Sequence, residues 1–146
     1  MNDEHEDALN TEFPSLLRML KRWRFNEVND GWFRLIFDLF KDIEAEALRI
    51  GRKPEDKDWP DLVEVKQGED CRLHLWIGNT TPEMDELIKA AGAKSGAICE
   101  ECGDVGRMVV TGEVWRVMCD PCATKRINEI NARIKRYQER LKHERQ

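Results

Sequence analysis

The longest periodic pattern in the chain is a stripe of apolar residues that begins at Trp32. Its members recur at steps of three and four residues, which is the spacing of one helix face. They are Trp32, Ile36, Leu39, Ile43, Ala47 and Ile50, widened by Phe33, Phe37 and Phe40. Asp30 is a preferred N-cap residue, and Gly51 is of the type that ends helices. We therefore predict a helix whose apolar side forms core, with a partner-binding groove as the alternative.

Two shorter helices are predicted on either side of this stripe. Thr11 is a suitable cap for a helix whose apolar side holds Leu16, Leu17, Leu20 and Trp23. The polar residues 1–10 are then expected to be frayed. Thr81 and Pro82 are a typical cap and first helical residue, and Gly92 is expected to end that helix.

Between these helices, two segments alternate between apolar and polar residues. Residues 62–66 and 71–77 flank a turn at 68–70, which is the pattern of a β-hairpin. On the second strand Arg72, His74 and Trp76 share the face opposite to the apolar one, and Trp59 lies just before the hairpin. These four residues are the predicted partner-binding surface, because Trp and Arg are enriched at interfaces. The alternative is that the long helix or the cysteine-rich part covers this face.

A second apolar seam follows residue 124. Its members step by three and four residues in a heptad pattern over two and a half repeats: Ile127, Ile130, Ile134, Tyr137 and Leu141. We predict a long helix from Thr124 to about Lys142. Its seam packs either on the protein's own body or against a second copy in a homodimer.

Four of the five cysteines form two pairs with the spacing C-x2-C-x16-C-x2-C, namely Cys99 with Cys102 and Cys119 with Cys122. This spacing is typical of a tetrahedral Zn2+ site with four thiolate ligands. Residues 107–110 and 113–118 read as two short strands joined at Thr111 and Gly112, so the expected layout is a zinc ribbon. Cys71 has no partner by spacing and is expected to lie outside the metal site as a small packed residue.

Composition divides the chain into an acidic body and a basic tail. Residues 1–70 carry a net charge of −7, residues 71–124 carry −3 and residues 125–146 carry +5. The predicted organisation is an α+β body over 11–93, a zinc ribbon over 94–123 and a basic C-terminal helix over 124–146. The sequence has no run of eighteen apolar residues, so no membrane span is predicted. The acidic start lacks the order of a secretory signal, and paired C-x-x-C motifs favour a reducing compartment, so we expect a cytoplasmic protein.

The order of motifs resembles a family of small proteins encoded by tailed bacteriophages and prophages. The resemblance covers roughly residues 13–123, and its motifs are Phe13-Pro14-Ser15-Leu16-Leu17, Asp30-Gly31-Trp32-Phe33, the hairpin near Val65-Lys66, Cys99-Glu-x-Cys102-Gly103 and Cys119-Asp120-x-Cys122-Ala123. Members of the family often have a cysteine where this chain has Val28-Asn29, and a basic Gly-Gly loop where residues 66–74 stand here. The resemblance implies a phage setting in a bacterial cytoplasm and implies no reaction.

Three function classes follow from these features. An enzyme is disfavoured, because four cysteines close the metal shell and the three histidines have no evident catalytic partners. A nucleic-acid-binding protein would use the basic residues of the last helix, which are Lys125, Arg126, Arg133, Lys135, Arg136 and Arg140. A protein-binding module, such as an inhibitor of a host or defence protein, needs only a stable scaffold and exposed aromatic residues. We favour this last class, and nucleic-acid binding is the alternative.

Overall fold

The computed structural model describes residues 1–19 and 25–146, and its architecture is α+β, which confirms the predicted fold class. Within these ranges there are four α-helices and two separate antiparallel hairpins of two strands each. In chain order they are α1 (Asp3–Glu12), α2 (Phe33–Arg49), β1 (Asp61–Gln67), β2 (Leu73–Gly78), α3 (Pro82–Ser95), β3 (Arg107–Thr111), β4 (Val114–Met118) and α4 (Asp120–Glu144). In the described ranges, no helix has both the length and the apolar character that a bilayer crossing requires.

Helix α1 occupies a segment that was expected to be frayed. The Asn2 side chain accepts a hydrogen bond from the His5 backbone N–H at 2.8 Å and so caps the helix. Acidic residues fill the first turn, where the helix dipole favours negative charge. Thr11 therefore lies inside a helix and does not cap one, and residues 14–19 form turns. The predicted positions Leu20 and Trp23 lie outside the described residues.

The aromatic stripe of α2 is the centre of the main core, as predicted. Ile36, Leu39, Phe40, Ile43 and Ala47 are buried on one side of this helix. Leu9 of α1, the loop residues Phe13 and Leu16, the inner face of β1 and β2, and Met84 of α3 pack against the same cluster. Gly51 follows the helix with φ +88°, a conformation that glycine adopts without strain.

Three consecutive residues before α2 join three different parts of the protein. The Asp30 carboxylate accepts from the Asn2 backbone N–H at 2.7 Å and pairs with His5 Nδ1 at 3.0 Å, so it holds the start of α1. The prediction that Asp30 is the N-cap of α2 is wrong. The Gly31 N–H donates to the Glu100 carbonyl at 2.8 Å. The buried Trp32 ring donates from Nε1 to the Ile98 carbonyl at 3.0 Å. This short segment, a 3-10 turn over Asp30–Trp32, therefore attaches the main core to the first cysteine pair.

Helix α3 packs on β2 and continues past the glycine that was expected to end it. A Cβ on Gly92 would lie 3.1 Å from the Leu73 carbonyl oxygen, so the glycine allows the helix to approach the strand closely. One turn later, the buried Ser95 hydroxyl accepts from the Leu73 N–H at 2.8 Å and donates to the Gly92 carbonyl at 2.6 Å. Packing against the strand thus outweighs the tendency of glycine to terminate a helix.

The last helix begins at Asp120, four residues before the predicted start. Cys119 is its N-cap residue and Pro121 lies in its first turn. The helix is about 37 Å long at 1.5 Å per residue. A Cβ on Gly112 at the tip of the β3–β4 hairpin would lie 3.4 Å from Ile130 Cδ1, so Ile130 lies beside this tip, whereas Ile134 and Tyr137 are about half exposed. The alternative in which the protein's own body buries the seam therefore does not hold for Ile134 and Tyr137 within the described residues, and pairing between chains stays a prediction.

We expect Gly31→Ala to destabilise the protein strongly. An alanine Cβ at this position would lie 2.1 Å from the Cys99 carbonyl oxygen and 2.5 Å from the Glu100 carbonyl carbon, so two backbone segments would have to separate. Overpacking of this kind costs about 1–3 kcal/mol or more. Urea denaturation measures the loss, and Gly78→Ala is the matched control because its nearest contact would be an ordinary 3.6 Å. Equal stability of the two variants would contradict the close packing described here.

Candidate metal centre

The first cysteine pair lies in a tight turn that the backbone stabilises. The Cys99 N–H donates to the Asp104 carbonyl at 2.6 Å, and the Gly103 N–H donates to the Cys99 carbonyl at 2.9 Å. Gly103 has φ +84°, which allows the chain to reverse directly after Cys102. The turn therefore directs both sulfur atoms of this pair toward one point.

The second cysteine pair belongs to the start of α4. Cys119 is the N-cap residue, and Cys122 lies in the first turn. The Ala123 N–H donates to the Cys119 carbonyl at 3.0 Å, which closes that turn. Thiolates are stabilised at helix N-termini, so this placement suits two metal ligands.

The four sulfur atoms form one compact cluster. They all lie within 4.8 Å of one another, and Cys102 Sγ and Cys119 Sγ are 3.6 Å apart. Tetrahedral coordination at 2.3 Å would require sulfur–sulfur distances of about 3.8 Å. Met118 and Ala123 pack around the cluster as a second, smaller core. The arrangement is compatible with a structural zinc site.

Backbone hydrogen bonds favour the ionised form of one of the four thiols, that of Cys99. Burial raises the pKa of the Cys99 thiol, but the backbone N–H groups of Cys119, Cys102 and Glu101 outweigh it and lower that pKa to about 7. The Cys122 thiol hydrogen-bonds to the neighbouring Cys119 sulfur, and this bond, together with burial, raises the pKa of Cys122. Because four thiolates this close repel one another, a divalent cation is needed for all four to be ionised together.

A buried carboxylate lies between the first two cysteines, and sequence reasoning missed it. Glu100 is fully buried. Its Oε1 accepts from the Arg116 guanidinium at 2.7 Å, and its Oε2 accepts from the Gln67 side-chain amide. Its backbone N–H also donates to the Val117 carbonyl at 2.9 Å. Since Gln67 belongs to β1 and Arg116 to β4, Glu100 joins both hairpins to the metal centre.

Cys71 lies away from the cluster, in the turn between β1 and β2. Its thiol donates to the Trp115 carbonyl at 3.3 Å, and burial raises its pKa. A buried thiol with a raised pKa is a poor metal ligand and a poor nucleophile at neutral pH.

Three of the four residues of the predicted partner surface are exposed, and the fourth is buried. Trp76 is 63% exposed on the outer face of β2, and His74 on the same face pairs with Asp70 at 2.8 Å. Arg72 precedes the strand and lies near Gly96 at the end of α3. The inclusion of Trp59 is wrong, because this residue is 1% exposed and its Nε1 donates to Glu44 at 3.3 Å.

The basic residues named for the nucleic-acid alternative all lie on α4. Arg126 is half-buried, and the other five are exposed: Lys125, Arg133, Lys135, Arg136 and Arg140. At 100° per residue, Lys125, Arg126, Arg133, Arg136 and Arg140 fall within an arc of about 100°, and Lys135 lies outside it, so five of the six share one side of the helix.

We expect the purified protein to hold one tightly bound Zn2+ per chain. Metal binding supplies about 10 kcal/mol or more of folding free energy in small zinc modules. Cys102→Ser should therefore lose the metal and unfold residues 97–123, whereas Cys71→Ser should retain the full equivalent. Elemental analysis of protein prepared without chelator measures the zinc content of the parent and of both variants. A parent protein with well below one equivalent would contradict the assignment.

We expect Glu100→Ala to destabilise the metal-loaded protein by about 2–4 kcal/mol, because it leaves Arg116 and Gln67 without their shared partner. This value lies toward the lower part of the range for buried ion pairs, since the Arg116 side chain is 23% exposed. The adjacent Glu101→Ala is the control, and as an exposed change it should cost at most about 0.5 kcal/mol. Denaturant unfolding compares the two variants, and equal losses would refute a specific role of Glu100.

Comparisons of this chain with protein-family models, with curated proteins and with solved structures give no match. The resemblance drawn from the motifs stays an expectation for that reason.

Proposed function

We propose that this protein is a non-catalytic protein-binding module whose scaffold is held by a structural Zn2+ ion. It acts on a host or phage protein in the bacterial cytoplasm, for example as an inhibitor of a host or defence protein. The observation that carries the proposal is Trp76, a large aromatic side chain that is 63% exposed on a paired strand.

The metal centre supports a structural role over a catalytic one. Four cysteines would complete a tetrahedral shell, and catalytic zinc sites usually keep one position open for water. The nearest buried carboxylate, Glu100, is engaged by Arg116 and Gln67 and is not available as a general base. Zn2+ at this site would therefore fix the two cysteine turns relative to each other.

Two of the three histidines, His5 and His74, support the same conclusion. His5 pairs with Asp30 and stacks on Phe33 with ring centroids 4.0 Å apart. His74 pairs with Asp70 on the surface. Among the residues that the structure describes, neither histidine has a serine, threonine or cysteine as a hydrogen-bond partner, so neither belongs to an activated nucleophile.

The outer face of the β1–β2 hairpin has the chemistry of a recognition surface. Trp76 lies opposite Glu64, and His74 lies opposite Lys66. Val63, next to an irregularity in the strand register, is also about half exposed. A rigid aromatic residue surrounded by charged groups is the typical composition of an interface hot spot and its rim.

The test of this proposal compares two tryptophans of the same chain. Trp76→Ala should leave unfolding free energy within about 1 kcal/mol of the parent, because the ring is mostly in solvent. It should weaken capture of the cognate protein partner by about 2 kcal/mol or more. Trp59→Ala, the buried counterpart, should lose about 3–5 kcal/mol of stability.

The measurements are denaturant unfolding and affinity capture from a bacterial lysate, with captured proteins identified and their affinities determined. A Trp76→Ala protein that folds normally and still captures every partner of the parent would refute the surface proposed here. So would a parent protein that captures none.

A further inference from the structure

The outer half of α4 carries an apolar seam without a partner in the described chain. Ile130 lies beside Gly112 at the tip of the β3–β4 hairpin, and the helix continues for roughly 20 Å beyond it. Ile134 is 49% exposed and Tyr137 is 58% exposed. Exposed apolar residues aligned in this way mark a surface for another helix.

A row of arginines runs along one side of this seam. Arg126, Arg133 and Arg140 recur every seven residues, and each directly precedes a seam residue. In heptad terms they hold the g positions, which flank the contact in a pair of helices. Among residues 1–19 and 25–146, none of the three guanidinium groups lies within 4.0 Å of a carboxylate.

A second copy of this helix does not offer the missing carboxylates. In a parallel pair, each g residue faces the e residue of the next heptad on the other helix. The e residues of this chain are Asn131, Gln138 and Arg145. In an antiparallel pair the row of arginines would face itself. Neither arrangement forms an ion pair, and the seam of two and a half heptads is short for a homodimer that lacks such pairs.

We infer that the seam binds an amphipathic helix of another protein that has Asp or Glu residues beside its own apolar stripe. Such a helix would cover Ile134, Tyr137 and Leu141 and would place carboxylates opposite Arg133 and Arg140. This inference names a second interaction surface and does not depend on Trp76, so either surface can fail alone.

The test uses the full-length protein and two synthetic helical peptides of about four heptads. Both have the same apolar a and d residues. One has Glu at every e and g position, and the other has Lys there, so each peptide repels its own copies equally. Titration of the metal-loaded protein, followed by fluorescence anisotropy, should show that the Glu peptide binds at least about tenfold more tightly than the Lys peptide.

Two charge-reversal variants separate the arginine row from the overall charge of the helix. Arg133→Glu/Arg140→Glu should abolish the preference for the Glu peptide. Lys135→Glu/Arg136→Glu makes the same change in net charge on the outer side of the helix, and it should retain the preference. All four side chains are exposed, so both variants should keep the metal and the fold of the parent.

Three outcomes would overturn the inference. One is the absence of saturable binding of the Glu peptide. Another is an equal loss of preference in both variants, which would indicate general attraction of anions, as in nucleic-acid binding. The third is a parent protein that is dimeric in solution and becomes monomeric with Ile134→Asp, because a second copy would then cover the seam.

Discussion

The structure depends on the buried Glu100 carboxylate, which forms an ion pair with Arg116 and accepts a hydrogen bond from the Gln67 side-chain amide. Burying a charged carboxylate costs folding free energy unless its oxygens are paired and hydrogen-bonded. Glu100 is fully buried, and both of its oxygens have donors. The three residues come from the first cysteine turn, from β4 and from β1, which belong to different parts of the chain. These interactions therefore fix the position of the metal centre relative to the main core, because a buried ion pair is lost when its partners move apart.

The segment Asp30–Trp32 reinforces the same junction from the side of the main core. Gly31 and Trp32 donate to the carbonyls of Glu100 and Ile98, and the missing side chain of Gly31 permits that approach. A metal ion bound by Cys99, Cys102, Cys119 and Cys122 would consequently influence more than its own module. It would stabilise the first cysteine turn, through which the β3–β4 hairpin, the β1–β2 hairpin and the start of α2 are connected. The two surfaces proposed for binding, around Trp76 and along the outer half of α4, would thus be carried by one metal-stabilised scaffold.

Local patterns in the sequence predicted the structural features that depend on neighbouring residues. They failed for features that are determined by contacts between residues far apart in the chain. The stripe from Trp32, the cap at Thr81 and the spacing of the cysteines were read from residues within a few turns of one another, and the structure agrees with those readings. The burial of Trp59 and the continuation of α3 past Gly92 arise from packing against distant segments, which periodicity does not report. Glu100 was missed because a glutamate inside a C-x-x-C turn is ordinarily exposed, and its partners are 16 and 33 residues away. Asp30 has the residue type of a cap, but the backbone of Asn2 and the ring of His5 take its carboxylate.

The central claim is that the metal centre and the main core form one cooperative unit joined at Glu100. Hydrogen–deuterium exchange of the metal-loaded protein and of the chelator-treated protein tests it most directly, because amide protection reports the free energy of local opening. The account predicts that removal of the metal increases exchange within residues 97–123 and also at the Gly31 amide and along β1 near Gln67, while the middle of α2 stays protected. An increase confined to residues 97–123, with unchanged protection at Gly31 and Gln67, would contradict the account.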